Sequence, residues 1–119
     1  MTTEQAATTT LYRPLGRAEL DLVEASGYRR WPPRLPEQPI FYPVTNEQYA
    51  IEVNRWNVEQ YGEGFIAKFE VLRSFMKGYK IHQVGQAHHT EWWIPAADLE
   101  ALNDAIVGKI EIIGHERAS

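Results

Sequence analysis

Phe65-Ile66-Ala67-Lys68-Phe69-Glu70-Val71-Leu72 is the clearest strand in the chain, and the spacing of the runs after it decides the fold. Phe65, Ala67, Phe69 and Val71 fall on one side, with Lys68 and Glu70 on the other. That period of two marks a strand with one buried face. Tyr79 to Val84 and Thr90 to Ile94 read as further strands, and Lys109 to Ile113 closes the series. The first three of these runs lie too close together for helical crossovers, which need a dozen or more residues. The expected class is therefore α+β, built from split mixed or antiparallel sheets with two to four short helices.

The earlier half alternates strand and helix, and on its own would also suit a parallel unit. Leu11-Tyr12-Arg13-Pro14 reads as a strand, because Pro14 biases Arg13 toward an extended backbone. A helix is expected from about Arg17 to Ala25, with Leu20 and Val23 on its apolar stripe and Gly27 as the left-handed stop. Tyr28 to Pro39 carries four prolines, three arginines and Trp31. Prolines fix φ and remove amide donors, so this is a stiff loop. It reads either as a surface connector or as a flap that offers Arg29, Arg30 or Arg34 to an anionic ligand. Ile40 to Val44 reads as a second strand, with Pro43 marking an edge or a bulge. Thr45 and Gln48 fit a capping box for a helix that runs to about Val58, with Tyr49, Val53 and Trp56 on one face. Pro95 fits the first turn of a last helix containing Leu99, Leu102 and Ile106.

With 119 residues, the chain suits one domain. The expected division is a disordered lead-in over 1–10, a domain over 11–114 and a polar tail over 115–119. A net charge of −4 argues against a protein that coats nucleic acid. The absence of cysteine excludes disulfides, thiol nucleophiles and cysteine-based zinc sites. No apolar run approaches the ~18 to 20 residues of a membrane span. Met1 to Thr10 has no apolar core of a secretory signal, so the cytoplasm is the expected location. Nucleotide loops are missing too: Gly62-Glu63-Gly64 precedes a strand and lacks a third glycine. Ser26 and Ser74, the interior serines, sit in no nucleophile elbow.

The chemistry concentrates in His88-His89-Thr90-Glu91-Trp92-Trp93-Ile94-Pro95. Strand alternation assigns His89, Glu91 and Trp93 to one face and His88, Thr90 and Trp92 to the other. On one reading Glu91 is the main acid of a cleft, and an aromatic face beside it suits a flat ring such as nicotinamide or adenine. On another, His89 and Glu91 join His82 from a neighbouring strand as three zinc or iron ligands. A third reading leaves both tryptophans purely structural.

Several segments also resemble a known group. They are Leu11-Tyr12-Arg13-Pro14, Glu19-Leu20 through Ser26-Gly27-Tyr28, Pro32-Pro33-Arg34-Leu35-Pro36-Glu37-Gln38-Pro39-Ile40-Phe41-Tyr42-Pro43-Val44, Glu91-Trp92-Trp93-Ile94-Pro95-Ala96 and Ile106-Val107-Gly108-Lys109-Ile110. Together they resemble the small bacterial proteins called ADP-ribosylation/crystallin J1, with an ADP-ribosyltransferase-like fold. The resemblance implies a cleft between two small sheets, NAD as substrate and no metal. It implies Glu91 as the catalytic acid that stabilises an oxocarbenium-like ribose. Arg13, Tyr42 and nearby Thr45 would hold the cofactor, with Arg34, Trp93 and His89 as further contacts. Arginine-specific transferases place a glutamate or glutamine where His89 stands, so the acceptor of ADP-ribose stays open among protein, nucleic acid and small molecule. A toxin-like or phage-related effector is one setting. The alternative is a non-catalytic nucleotide- or protein-binding module on the same fold.

Overall fold

In the computed structural model, which describes residues 7–118, strand and helix alternate twice before strands take over. The chain runs through β1 (Thr8–Leu15), α1 (Arg17–Ala25), β2 (Ile40–Phe41) and α2 (Glu47–Tyr61). It continues with β3 (Glu63–Leu72), α3 (Arg73–Met76), β4 (Ile81–Gln83), β5 (Thr90–Trp92) and β6 (Ile94–Pro95). A 3-10 turn (Ala96–Asp98) enters α4 (Leu99–Asp104), and β7 (Ile106–Arg117) is the last strand. The class is α+β, with short antiparallel sheets, and no helix among the described residues is long and apolar enough to cross a membrane.

The alternating run from Phe65 to Leu72 lies at the centre of the fold. It forms most of β3, which sits between β1 and β7 in a three-stranded antiparallel sheet. Its Phe65, Ala67, Phe69 and Val71 join Leu11 and Leu15 of β1, Leu20 and Val23 of α1, and Leu99 and Leu102 in one apolar core. The Trp31 ring sits in that core against Phe69 and Phe41, at centroid distances of 5.1 and 5.5 Å. Burying a side chain such as Phe69 contributes about 1.5–3 kcal/mol, so this face holds most of the domain's apolar stabilisation. The opposite face carries a smaller cluster, in which Ile66 packs with Val44 and Ala50 of α2. Gly64 lets α2 approach there, since a Cβ at that position would overlap the Asn54 side-chain amide.

α1 has the expected bounds, and Gly27 ends it with a φ of 76°. Other expectations fail for identifiable reasons. Thr8, Thr9 and Thr10 belong to β1 rather than to a lead-in, because the Thr8 and Thr10 hydroxyls donate to the Glu70 carboxylate on β3. Met1 to Ala6 lie outside the described residues. The expected tail over 115–119 is also strand as far as Arg117, because β3 begins at Glu63 and offers that end of β7 a partner. Thr90 to Ile94 is not one strand: β5 pairs with β4, and after Trp93 the chain changes partner, so that β6 pairs with β2.

Candidate functional site

The site is organised by Val44. Its backbone bridges Tyr12 on β1 and Glu91 on β5. Tyr12 and Val44 exchange amide–carbonyl hydrogen bonds at 2.9 and 2.8 Å. On the other side, the Trp92 amide donates to the Pro43 carbonyl at 3.0 Å, and the Thr45 amide donates to the Thr90 carbonyl at 3.1 Å. The strand bearing Arg13 and the strand bearing Glu91 are thus laid on either side of one short segment. A cleft of about 400 Å³ opens over it, lined by Arg13, Tyr42, Val44, Tyr49, Val53, Trp56 and Glu91. That volume falls within the usual range for small-molecule sites.

Glu91 is held from two directions. The Tyr49 hydroxyl donates to Oε1 at 2.8 Å, and the Trp93 indole Nε1–H donates to Oε2 at 2.7 Å. Bonds to a carboxylate are short and strong, and two of them fix its plane. Burial, followed by the bond to Glu91, pushes the Tyr49 hydroxyl up to about 12, so at neutral pH it is a donor. Trp93 is steadied in turn by His82, whose ring stacks on it at 3.6 Å between centroids and 6° between planes. His82 is also the cross-strand partner of Glu91. The two tryptophans divide as alternation requires: Trp92 is buried in the core, while Trp93 is exposed and reaches Glu91.

α2 supplies the other wall. Tyr49, Val53 and Trp56 share one helical face, as the spacing predicts, but that face lines the cleft and leaves Trp56 66% exposed. The helix is capped by Asn46 instead of Thr45, since Asn46 Oδ1 accepts the Tyr49 amide at 2.8 Å. Thr45 is occupied elsewhere, its hydroxyl paired with the Thr90 hydroxyl on β5. Its place at the site is thus to join α2's entry to the Glu91 strand.

Arg13 reaches the cleft already paired. Its Nε and Nη2 donate to the two Glu19 oxygens at 2.6 and 2.9 Å, and its guanidinium lies 4.5 Å from the Phe41 ring centroid. Arg34 stands near this pair, with Nε donating to the Ile40 carbonyl at 3.2 Å. Burial and then repulsion by Arg13 lower the Arg34 value, although the guanidinium keeps its charge at neutral pH. Two guanidiniums against the one carboxylate of Glu19 leave an excess of positive charge beside Tyr42, which is itself 44% exposed. Arg30 does not belong to this group. It is held across the loop by Glu100 and Asp104, each at 3.0 Å.

The two histidines depart from the alternation. His88 and His89 precede β5, in a turn where period-two geometry does not apply. Both rings therefore reach the same partner, Glu52 on α2, with His88 Nε2 at 2.6 Å from Oε2 and His89 Nε2 at 2.9 Å from Oε1. His89 does not join Glu91 and His82 in a ligand set, though its ring packs on that of Tyr49 at 4.8 Å. Sequence reasoning missed Glu52, Tyr49 and Glu19 as site residues. Only the helical spacing of Tyr49 and Glu52 on one amphipathic stretch carried any signal. No protein-family model and no curated protein matches the chain.

Proposed function

We propose that this protein is an NAD-dependent ADP-ribosyltransferase in which Glu91 stabilises the developing charge on the nicotinamide ribose. The reading rests on one observation: a carboxylate fixed by Tyr49 and Trp93 at an aromatic-walled cleft that also contains Arg13 and Tyr42. Departure of nicotinamide breaks the ribose C1′–N bond and leaves an oxocarbenium-like ribose. A preorganised carboxylate lowers the energy of that state more than that of the neutral sugar. The excess positive charge at Arg13 and Arg34 suits the diphosphate, and exposed Tyr42, Trp56 and Trp93 offer faces to flat rings. The acceptor is a nucleophile that enters on the open side of the cleft.

The test is release of nicotinamide from NAD, followed by chromatography. Glu91→Gln keeps the shape and removes the charge, and should lower turnover by about 10² to 10³. Equal turnover in the two proteins would sink the proposal. A second reading, a non-catalytic nucleotide- or protein-binding module, draws on the exposed Tyr42, Trp56 and Trp93, which can hold a ligand without chemistry at Glu91. It requires NAD or partner binding by calorimetry without nicotinamide release.

A further inference from the structure

We propose that Glu52, His88 and His89 form a zinc site that clips the turn before β5 onto α2. One carboxylate oxygen or ring nitrogen from each residue lies within 4.8 Å of the others. Two imidazoles and a carboxylate are a donor set zinc accepts in three-ligand sites that keep a fourth position for water. The ring nitrogens stand 2.6 and 2.9 Å from the Glu52 oxygens. Ligand atoms around tetrahedral zinc are about 3.3 Å apart, given bonds of about 2.0–2.1 Å, so each ring nitrogen has to draw back from Glu52 by roughly 0.4–0.7 Å to admit the ion. All three side chains are partly exposed, and Glu52 lines a surface depression of about 470 Å³ with Gln48, Ile51 and Arg55. An ion can therefore enter from solvent, and a water can complete its shell.

The turn is shaped around these rings. A Cβ at Gly85 would overlap His89 Nδ1, so glycine there leaves room for the imidazole. The Gln86 amide donates to His89 Nδ1 at 3.0 Å. Nδ1 is thus an acceptor, and the ring proton sits on Nε2, facing Glu52. Binding zinc through Nε2 moves that proton to Nδ1, which then confronts the Gln86 N–H. The Gln86 amide must turn away, and this rearrangement couples zinc uptake to the conformation of the turn. The proposal stands independently of NAD.

Chelator-stripped protein titrated with Zn²⁺ by calorimetry should take up one saturable equivalent. Co²⁺ in the same site should give the visible absorption of a four-coordinate N/O centre. Glu52→Gln and His88→Ala, checked for folding by circular dichroism, should each weaken uptake by at least tenfold. His82→Ala and His115→Ala should leave it unchanged, the latter because His115 faces Glu63 elsewhere on the surface. In ¹⁵N spectra of the wild type, the Gln86 amide should shift on Zn²⁺ addition. No saturable uptake by the wild type, or undiminished uptake by folded Glu52→Gln, overturns the site. Zinc uptake without movement of the Gln86 resonance overturns the role of His89.

Discussion

Tyr49→Phe isolates the arrangement on which the functional reading depends. The substitution removes one hydroxyl and leaves the ring in place against His89. It withdraws the 2.8 Å donor from Glu91 Oε1 and leaves the Trp93 indole as the remaining one. A hydrogen bond to a charged group contributes about 1.5–3 kcal/mol, but this one is open to water that can replace the hydroxyl, so about 1–2 kcal/mol is the reasonable share. Expressed as rate, that is a fall of roughly 5- to 30-fold in kcat. The loss should be smaller than that of Glu91→Gln, because the carboxylate is still present and only its orientation is loosened. Nicotinamide release at saturating and limiting NAD separates the parameters, and a thermal melt confirms that the variant is folded. An unchanged kcat in Tyr49→Phe, beside an impaired Glu91→Gln, refutes the positioning role. A raised KM at constant kcat would instead assign Tyr49 to substrate binding.

Other perturbations test the scaffold and its charges. Spectrophotometric titration should find Tyr49 ionising near 12, and Glu91→Gln should bring it down only in part, because burial is the larger cause. With its folded value above the free one near 10, Tyr49 adds stability that is complete below pH 10 and disappears as pH rises through about 12. Glu63 behaves in the opposite sense. Arg17 and then His115 hold its carboxyl at about 2, against an ordinary value of 4.5, so its contribution is present above pH 4.5 and lost as pH falls toward 2. Glu63→Gln should flatten acid unfolding in that window, and an unaltered acid limb would show that the pair contributes nothing. Asn103→Ala should cost about 2–4 kcal/mol in urea denaturation, since it strands two buried groups of the Trp31 backbone, the N–H bonded at 2.8 Å and the C=O at 3.0 Å. A loss below about 1 kcal/mol would mean that the proline-rich loop is held by other contacts.

What the sequence made legible was local. The alternation from Phe65 to Val71 identified the central strand, and Leu20, Val23 and Gly27 identified α1 with its stop. Glu91 and Trp93 were rightly placed together, because a two-residue spacing specifies a face without knowledge of the partner. Prediction failed where a distant residue decided the outcome. Thr45 fits a capping box with Gln48, but Thr90 takes its hydroxyl and Asn46 caps the helix. His89 looks like a neighbour of Glu91 until Glu52, 37 residues away in the chain, draws it to α2. The loop arginines look free until Glu100 and Asp104 claim Arg30. Polar side chains have many near-equivalent partners, and only the folded chain selects among them.

The bridge at Val44 has a mechanical meaning. Two ladders meet on one residue, with backbone bonds running from it to β1 on one side and from its immediate neighbours to β5 on the other. Sliding either ladder along its length would break several of these bonds together, so the floor of the cleft resists shear. Twisting about Val44 is opposed from α2, where Tyr49 holds Glu91 and Glu52 holds His88 and His89. The strand that carries Glu91 is therefore braced twice, at its backbone by Val44 and its neighbours and through side chains by α2, and its register with β1 stays fixed.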